Sequence, residues 1–184
     1  TRQRNCALDV LADKCDVVFF IDDDYLPERT ALHRLERAFR SMPEVSGITG
    51  QLLADGIHSG GIDVGAAKAL IESAERNGLS DTGLITDRLR CGLYGCNMAF
   101  RGSAIGDVRF DENLPLYGWQ EDVDFSNRVD GKNILLDSLI GVHCGTPSGR
   151  ETNGAALGYS QIANPIYLLR KGTLSWRHAI RLVF

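Results

Sequence analysis

Three adjacent carboxylates, Asp22, Asp23 and Asp24, follow directly on the apolar run Val17-Val18-Phe19-Phe20-Ile21. A short apolar run bounded by polar residues reads as a strand buried on both faces. Ligands of open α/β sheets bind just beyond the carboxyl ends of such strands. Three neighbouring acids repel one another. A divalent cation relieves that repulsion, and Mg²⁺ or Mn²⁺ takes carboxylate oxygens together with substrate phosphates. The plainer alternative is a solvated acidic turn, or carboxylates capping the next helix. A calcium EF-hand loop is excluded, because its Gly and terminal Glu are absent.

Further along, Trp119-Gln120-Glu121-Asp122-Val123-Asp124 brings two adjacent acids to an expected helix start. Glu121 and Asp122 point about 100° apart on a helix. One can then face a reacting hydroxyl as general base while the other holds a second hydroxyl. Trp119 offers an apolar face to a sugar ring. An acid-rich first helical turn is the ordinary alternative. His143 follows the apolar stretch 139–142, where a neutral imidazole suits a metal as third ligand or serves structure alone. Arg4 and Asn5 can donate to a phosphate or a base, or simply lie on an exposed helix face. Cys91, Cys96, His143 and Cys144 fit no common zinc spacing.

These residues need a frame. Apolar periodicity predicts a helix over 3–13, a strand over 16–21 and a helix from Pro27 to about Arg40. A strand over 45–53 follows. Helix, strand, helix, strand is a parallel α/β pattern. Residues 54–65 are Gly-rich and read as a loop or irregular hairpin. A helix over 66–76, a strand over 93–100, an aromatic loop over 110–120 and a helix over 121–129 come next. Short strands over 134–136 and 139–142 precede a polar loop over 145–154. The stretches 155–170 and 174–184 read as helices, with Pro165 expected to kink or break the first.

The chain has 184 residues, 43% hydrophobic and 24% charged, which suits one domain with a core and argues against disorder. A net charge of -4 leaves no footprint for nucleic acid. Five Cys without a Cys-x-x-Cys pair point to reduced thiols in a cytoplasmic setting. No signal peptide or membrane-length apolar run is visible. The chain opens with Thr inside one helical pattern and closes inside another, so a piece of a longer protein is expected.

Taken together, Arg4-Asn5-Cys6-Ala7-Leu8, Phe20-Ile21-Asp22-Asp23-Asp24, the segment Gly95–Arg101 and the segment Gly118–Phe125 resemble a family 2 glycosyltransferase of the GT-A fold. The resemblance covers roughly the first 145 residues, the share of one domain. It implies an α/β, Rossmann-like mixed sheet flanked by helices and incomplete at its N-terminus. Residues 1–150 would be the transferase domain and 151–184 a helical C-terminal segment. Such an enzyme moves a sugar from a nucleotide-diphosphate donor, a UDP- or dTDP-sugar, to a glycan or lipid-linked hydroxyl acceptor.

The resemblance also implies roles. Asp24, with Asp23 assisting, would bind Mn²⁺ or Mg²⁺ on the diphosphate, and His143 matches a position where some relatives add a ligand. Arg4, Asn5 and Asp22 would lie near the nucleotide, while Asn97, Met98 and Ala99 would line the donor-sugar pocket. Asp122 would be the base of an inverting transfer, with Glu121 and Trp119 on the acceptor. A metal-dependent nucleotidyltransferase and a non-catalytic nucleotide- or sugar-binding module are the rival readings. A response-regulator receiver is disfavoured, because no Lys and no third-strand Asp stand where it needs them. The basic, amphipathic tail 159–184 suits a peripheral contact with the inner face of a membrane, a helix closing the domain, or an oligomer contact.

Overall fold

The computed structural model describes residues 1–11, 14–79, 88–89, 92–116, 118–145 and 154–183. Cys91 and most of the expected polar loop 145–154 lie outside the described residues. In chain order the elements are α1 (Arg2–Leu11), β1 (Val17–Ile21), β2 (Tyr25–Pro27), α2 (Ala31–Ser41), β3 (Val45–Asp55), a 3₁₀ turn (Gly56–His58) and α3 (Val64–Arg76). Then follow β4 (Arg88–Leu89), β5 (Asn97–Arg101), α4 (Gly102–Ile105), α5 (Glu121–Arg128), β6 (Lys132–His143), α6 (Gly154–Lys171) and α7 (Trp176–Val183).

The fold is α/β, with a mixed sheet of strand order β1-β5-β3-β6-β2 and β4 pairing with β6. The expected parallel pattern is only partly realised. Among the described residues β3 and β6 form the one parallel pair, and the other strand pairings are antiparallel. β1 and β3 do run the same way, as a helical crossover requires, but β5 inserts between them antiparallel to both. Helix–strand alternation carries no trace of that insertion.

Side chains alternate across each strand, and the two faces of β1 and β5 show it. Val18, Phe20, Met98 and Phe100 join Leu8, Ile105, Phe110 and Phe125 under α1, α4 and α5. Val17, Phe19 and Ala99 pack on the other side, with Leu35, Ala38 and Phe39 of α2. Phe110 and Phe125 stack at 4.0 Å, with Phe20 edge-on to both.

Two features position the polar groups. First, β1 passes into β2 through residues 22–24 alone, with Tyr25 N–H closing a turn onto Asp22 O at 3.1 Å. Four residues reach at most about 14 Å, whereas four strand intervals in a flat sheet would span about 19 Å. The sheet must therefore curl over at this end, and the acids sit on the curled rim. Second, β6 is one continuous strand rather than two. Its register against β3 jumps from Gly50/Leu136 to Gln51/Ile140. Beyond the jump His143 pairs with Asp55 of β3 on one side and with Tyr25 of β2 on the other.

One expectation about Pro is corrected and the other is narrowed. Pro27 ends β2 instead of opening a helix, and α2 starts at Ala31. Pro165 lies inside α6 without ending it. There the buried face of α6, with Ser160, Asn164 and Leu168, packs on the domain and outweighs the lost hydrogen bond.

Candidate functional site

Asp22 and Asp24 flank the turn that leaves β1, and the register described above brings His143 beside them. His143 Nε2 lies 3.2 Å from Asp24 Oδ1, and Nδ1 lies 2.9 Å from Asp55 Oδ1. One ligand atom each from Asp22, Asp24 and His143 fall within 4.8 Å of one another. That is close to the span of one ion with ligands at about 2.1 Å, where opposite ligands stand about 4.2 Å apart. Two carboxylates and an imidazole suit Mn²⁺ better than Mg²⁺, for which imidazole is a poor ligand. These residues thus fit a divalent cation.

Asp55 belongs to this cluster, although its segment reads as the start of a loop. It accepts from Ile57 N–H at 3.0 Å, from Tyr94 O–H at 2.8 Å and from His143 Nδ1. Burial pushes its carboxyl up, but these hydrogen bonds outweigh burial and hold it below its ordinary value. An ionised Asp55 fixes the proton on Nδ1 and leaves Nε2 turned to Asp24. Tyr94 also meets the His143 ring edge to face at 6.1 Å.

The second acid pair stands across a cleft of about 200 Å³ whose walls include Asp22, His143, Tyr94, Trp119, Glu121 and Asp122. Asp122 Oδ2 accepts from Gly95 N–H and its Oδ1 from Val123 N–H, both at 2.9 Å. Burial raises its carboxyl; those two bonds oppose the rise and neighbouring Glu121 adds to it. Each oxygen retains a lone pair for a substrate hydroxyl. A Cβ at Gly95 would come within 3.2 Å of Asp122 Oδ2, so glycine permits this approach.

Arg4 joins the two halves. Its Nη2 donates to Asp22 Oδ1 and its Nη1 to Glu121 Oε1, both at 2.9 Å, and it also reaches Gly95 O at 3.4 Å. Its guanidinium lies over Phe20 and Phe110. Burial raises the Asp22 carboxyl, while Arg4 and His143 pull it down. Cys96 is buried in the wall of the same cleft, within the electrostatic reach of Asp22, Asp55, Asp122 and Asp24. Burial and these charges push its thiol well up, so it is protonated and poorly suited to bind zinc or attack.

Before α5, Gln120 takes a left-handed conformation (φ 72°), and its Oε1 is buried with no partner among the described residues. A left-handed residue with an unpartnered acceptor at a cleft wall offers a polar group to a water or a ligand there, which its sequence position does not reveal. Asp124, by contrast, is structural. It is fully buried and accepts from Arg128, Lys171 and Thr173.

Several expected site residues do not reach the cleft. Asn5 is buried and exchanges hydrogen bonds with the Phe110 backbone. Asn97 is fully buried, accepts from Thr49 Oγ1 and donates to Tyr25 and Gly50 O. Met98 and Ala99 are fully buried in opposite cores. Asn97 and Ala99 lie on one face of β5 and Met98 on the other, so the three side chains do not share one wall. Asp23 is exposed at the turn and is not one of the converging ligands.

No protein-family model and no curated protein matches this chain.

Proposed function

We propose that the cleft transfers a glycosyl group from a nucleotide-diphosphate sugar to a hydroxyl acceptor, with inversion. This is the reading that the resemblance to family 2 glycosyltransferases of the GT-A fold implies. The observation that carries it is that the convergent trio Asp22, Asp24 and His143 and the half-buried carboxylate Asp122 line or adjoin one cleft, with Arg4 between them.

Asp22, Asp24 and His143 would hold the cation, and Mn²⁺ fits best. Bound there, the ion would neutralise the charge that grows on the departing diphosphate. Asp122 would take the proton of the acceptor hydroxyl as that oxygen forms its bond to the anomeric carbon and the bond to the phosphate oxygen breaks. A carboxyl pushed up by burial is a better base than an exposed one once it is ionised. Attack from the face opposite the leaving group inverts the configuration and needs no covalent intermediate. Glu121 and Trp119 would hold the acceptor, and Arg4 would keep Asp22 and Glu121 apart at a fixed distance.

Calorimetric titration of UDP and dTDP, with Mn²⁺ and with EDTA, tests the donor half. Binding should need Mn²⁺ and vanish in Asp24→Ala. Turnover with a sugar nucleotide should vanish in Asp122→Asn while nucleotide binding survives. Unchanged turnover in Asp122→Asn refutes the base assignment. Mn²⁺-independent nucleotide binding in Asp24→Ala refutes the metal site.

A further inference from the structure

The outer surface of α6 and α7 has a composition unlike the rest of the chain. On α6, Tyr159, Ile162, Ile166 and Leu169 fall within an arc of about 80°. On α7, Trp176 and Ile180 stand one turn apart. All six are between 39% and 62% exposed. Residues 154–183 contain no Asp or Glu, yet hold Arg170, Lys171, Arg177 and Arg181, in a chain whose net charge is -4. Lys171 is turned inward to Asp111 and Asp124. The three arginines are exposed. Arg170 follows Leu169 at the edge of the α6 arc, and Arg177 and Arg181 each follow an exposed apolar residue. The Arg177 guanidinium lies 5.4 Å over the Trp176 ring.

The opposite faces of these helices are firmly engaged. Leu168, Leu174 and Ala179 pack on Leu114 and Val123. Asn164 Nδ2 donates to Trp119 O at 2.9 Å. The apolar outer residues are therefore a second face and not part of the core.

We propose that α6 and α7 dock on an anionic membrane surface, with Trp176 and Ile180 entering the interface and Arg170, Arg177 and Arg181 meeting lipid phosphates. Charge selects this occupant. A second copy packed two-fold on the same face would set these arginines against their own counterparts with no acid from either helix pair to compensate. Among the described residues no helix is long and apolar enough to cross a membrane, so the contact is in-plane. Because α6 also holds Trp119, docking would bring the loop beside the cleft to about one helix diameter, roughly 10 Å, from the lipid surface.

Co-sedimentation of the full chain with phosphatidylcholine vesicles, with and without phosphatidylglycerol, tests this. Binding should require phosphatidylglycerol, weaken with salt and shift Trp emission to the blue. Each Arg→Gln change at 170, 177 or 181 should weaken binding about fivefold, and the triple change about a hundredfold. Trp176→Ala with Ile180→Ser should also release the protein, and its retained circular dichroism would show that the fold is intact. Equal binding to neutral vesicles, wild-type binding by the triple variant, or no binding to anionic vesicles overturns the proposal. A dimer in ultracentrifugation that Trp176→Ala dissolves would overturn it in favour of a second copy.

Discussion

Replacing Arg4 by Met keeps much of the side chain's length and its apolar packing over Phe20 and Phe110, but removes the charge that spans the cleft. Arg4 makes two charge-assisted bonds of 2.9 Å, one to Asp22 and one to Glu121. A hydrogen bond to a charged group contributes about 1.5–3 kcal/mol. The Glu121 side chain is 16% exposed, so that arm is worth about 2 kcal/mol. Asp22 is 38% exposed and rehydrates when released, which cuts its arm to about 0.5–1 kcal/mol. The expected loss at neutral pH is about 2–3 kcal/mol, or about 5–10 °C in Tm for a chain of this size. Its pH dependence separates charge from packing. Arg4 favours the ionised form of Asp22, so its contribution is present above the raised folded value of that carboxyl and is lost as pH falls through it. Urea unfolding in EDTA, followed by circular dichroism at neutral pH and at about pH 4, should show a gap that narrows on acidification. A loss below about 0.5 kcal/mol, or one equal at both pH values, would refute the electrostatic account.

Other expectations follow from the same geometry. Asp122 is raised by burial, with Glu121 adding and Arg4 opposing, so the acid limb of kcat/KM should lie above the ordinary Asp value. Glu121→Gln should move that limb to lower pH and Arg4→Met to higher pH, and a limb fixed in both variants would detach it from Asp122. Asp22→Asn should leave metal-free stability at neutral pH unchanged or higher while abolishing Mn²⁺ binding, read by denaturation and calorimetry. The sign follows from the raised folded carboxyl, whose stabilising protonated form is fully present below 3.8 and lost as pH rises through the folded value. Asp55→Ala should weaken Mn²⁺ binding about 10–100-fold, because His143 loses the acceptor that orients it. Unaltered affinity in that variant would make the pair purely structural. Thr49→Val strips buried Asn97 Oδ1 of its donor and should cost about 1–3 kcal/mol without changing nucleotide binding. A parallel loss of nucleotide affinity would return Asn97 to the site.

How far the site could be read in advance depended on the range of each interaction. The β1 run ending in Asp22 and the acids opening α5 are local patterns, and both elements stand where periodicity places them. The antiparallel insertion of β5 and the register jump in β6 arise from pairings distant in sequence, which no local window records. Asp55 was hidden for that reason. The Gly-rich stretch after Leu53 reads as a loop, yet β3 continues to Asp55 because β6 beyond its jump supplies a partner. Local evidence leaves Arg4 open between a phosphate or base donor and an exposed helix residue, and its link to two acids is hidden because they lie 18 and 117 positions away. Asn97, Met98 and Ala99 are a different case. Their period-two alternation already forbids three consecutive side chains on one wall, and that signal was present in the sequence.

The cleft is held together by groups that the fold alone would not favour. Asp22 and Asp122 are raised by burial, Gln120 is left-handed with an acceptor that has no partner among the described residues, and the buried Cys96 thiol feels four carboxylate charges. A sequence optimised for stability would replace several of these with apolar or neutral residues, as stabilising substitutions at functional sites commonly do. They persist together at one curled sheet edge, on which β1, β3, β6 and α5 converge. A solvated acidic turn needs none of this arrangement. A cation that joins Asp22, Asp24 and His143 would offset the repulsion among the acids, so the metal-free protein should be the less stable form. The gain grows with the logarithm of free Mn²⁺ above its dissociation constant, about 2.7 kcal/mol at a hundredfold excess. Asp24→Ala should abolish that gain at every Mn²⁺ concentration. A Tm that rises with Mn²⁺ equally in Asp24→Ala would place the ion elsewhere and leave the acid cluster without its compensating charge.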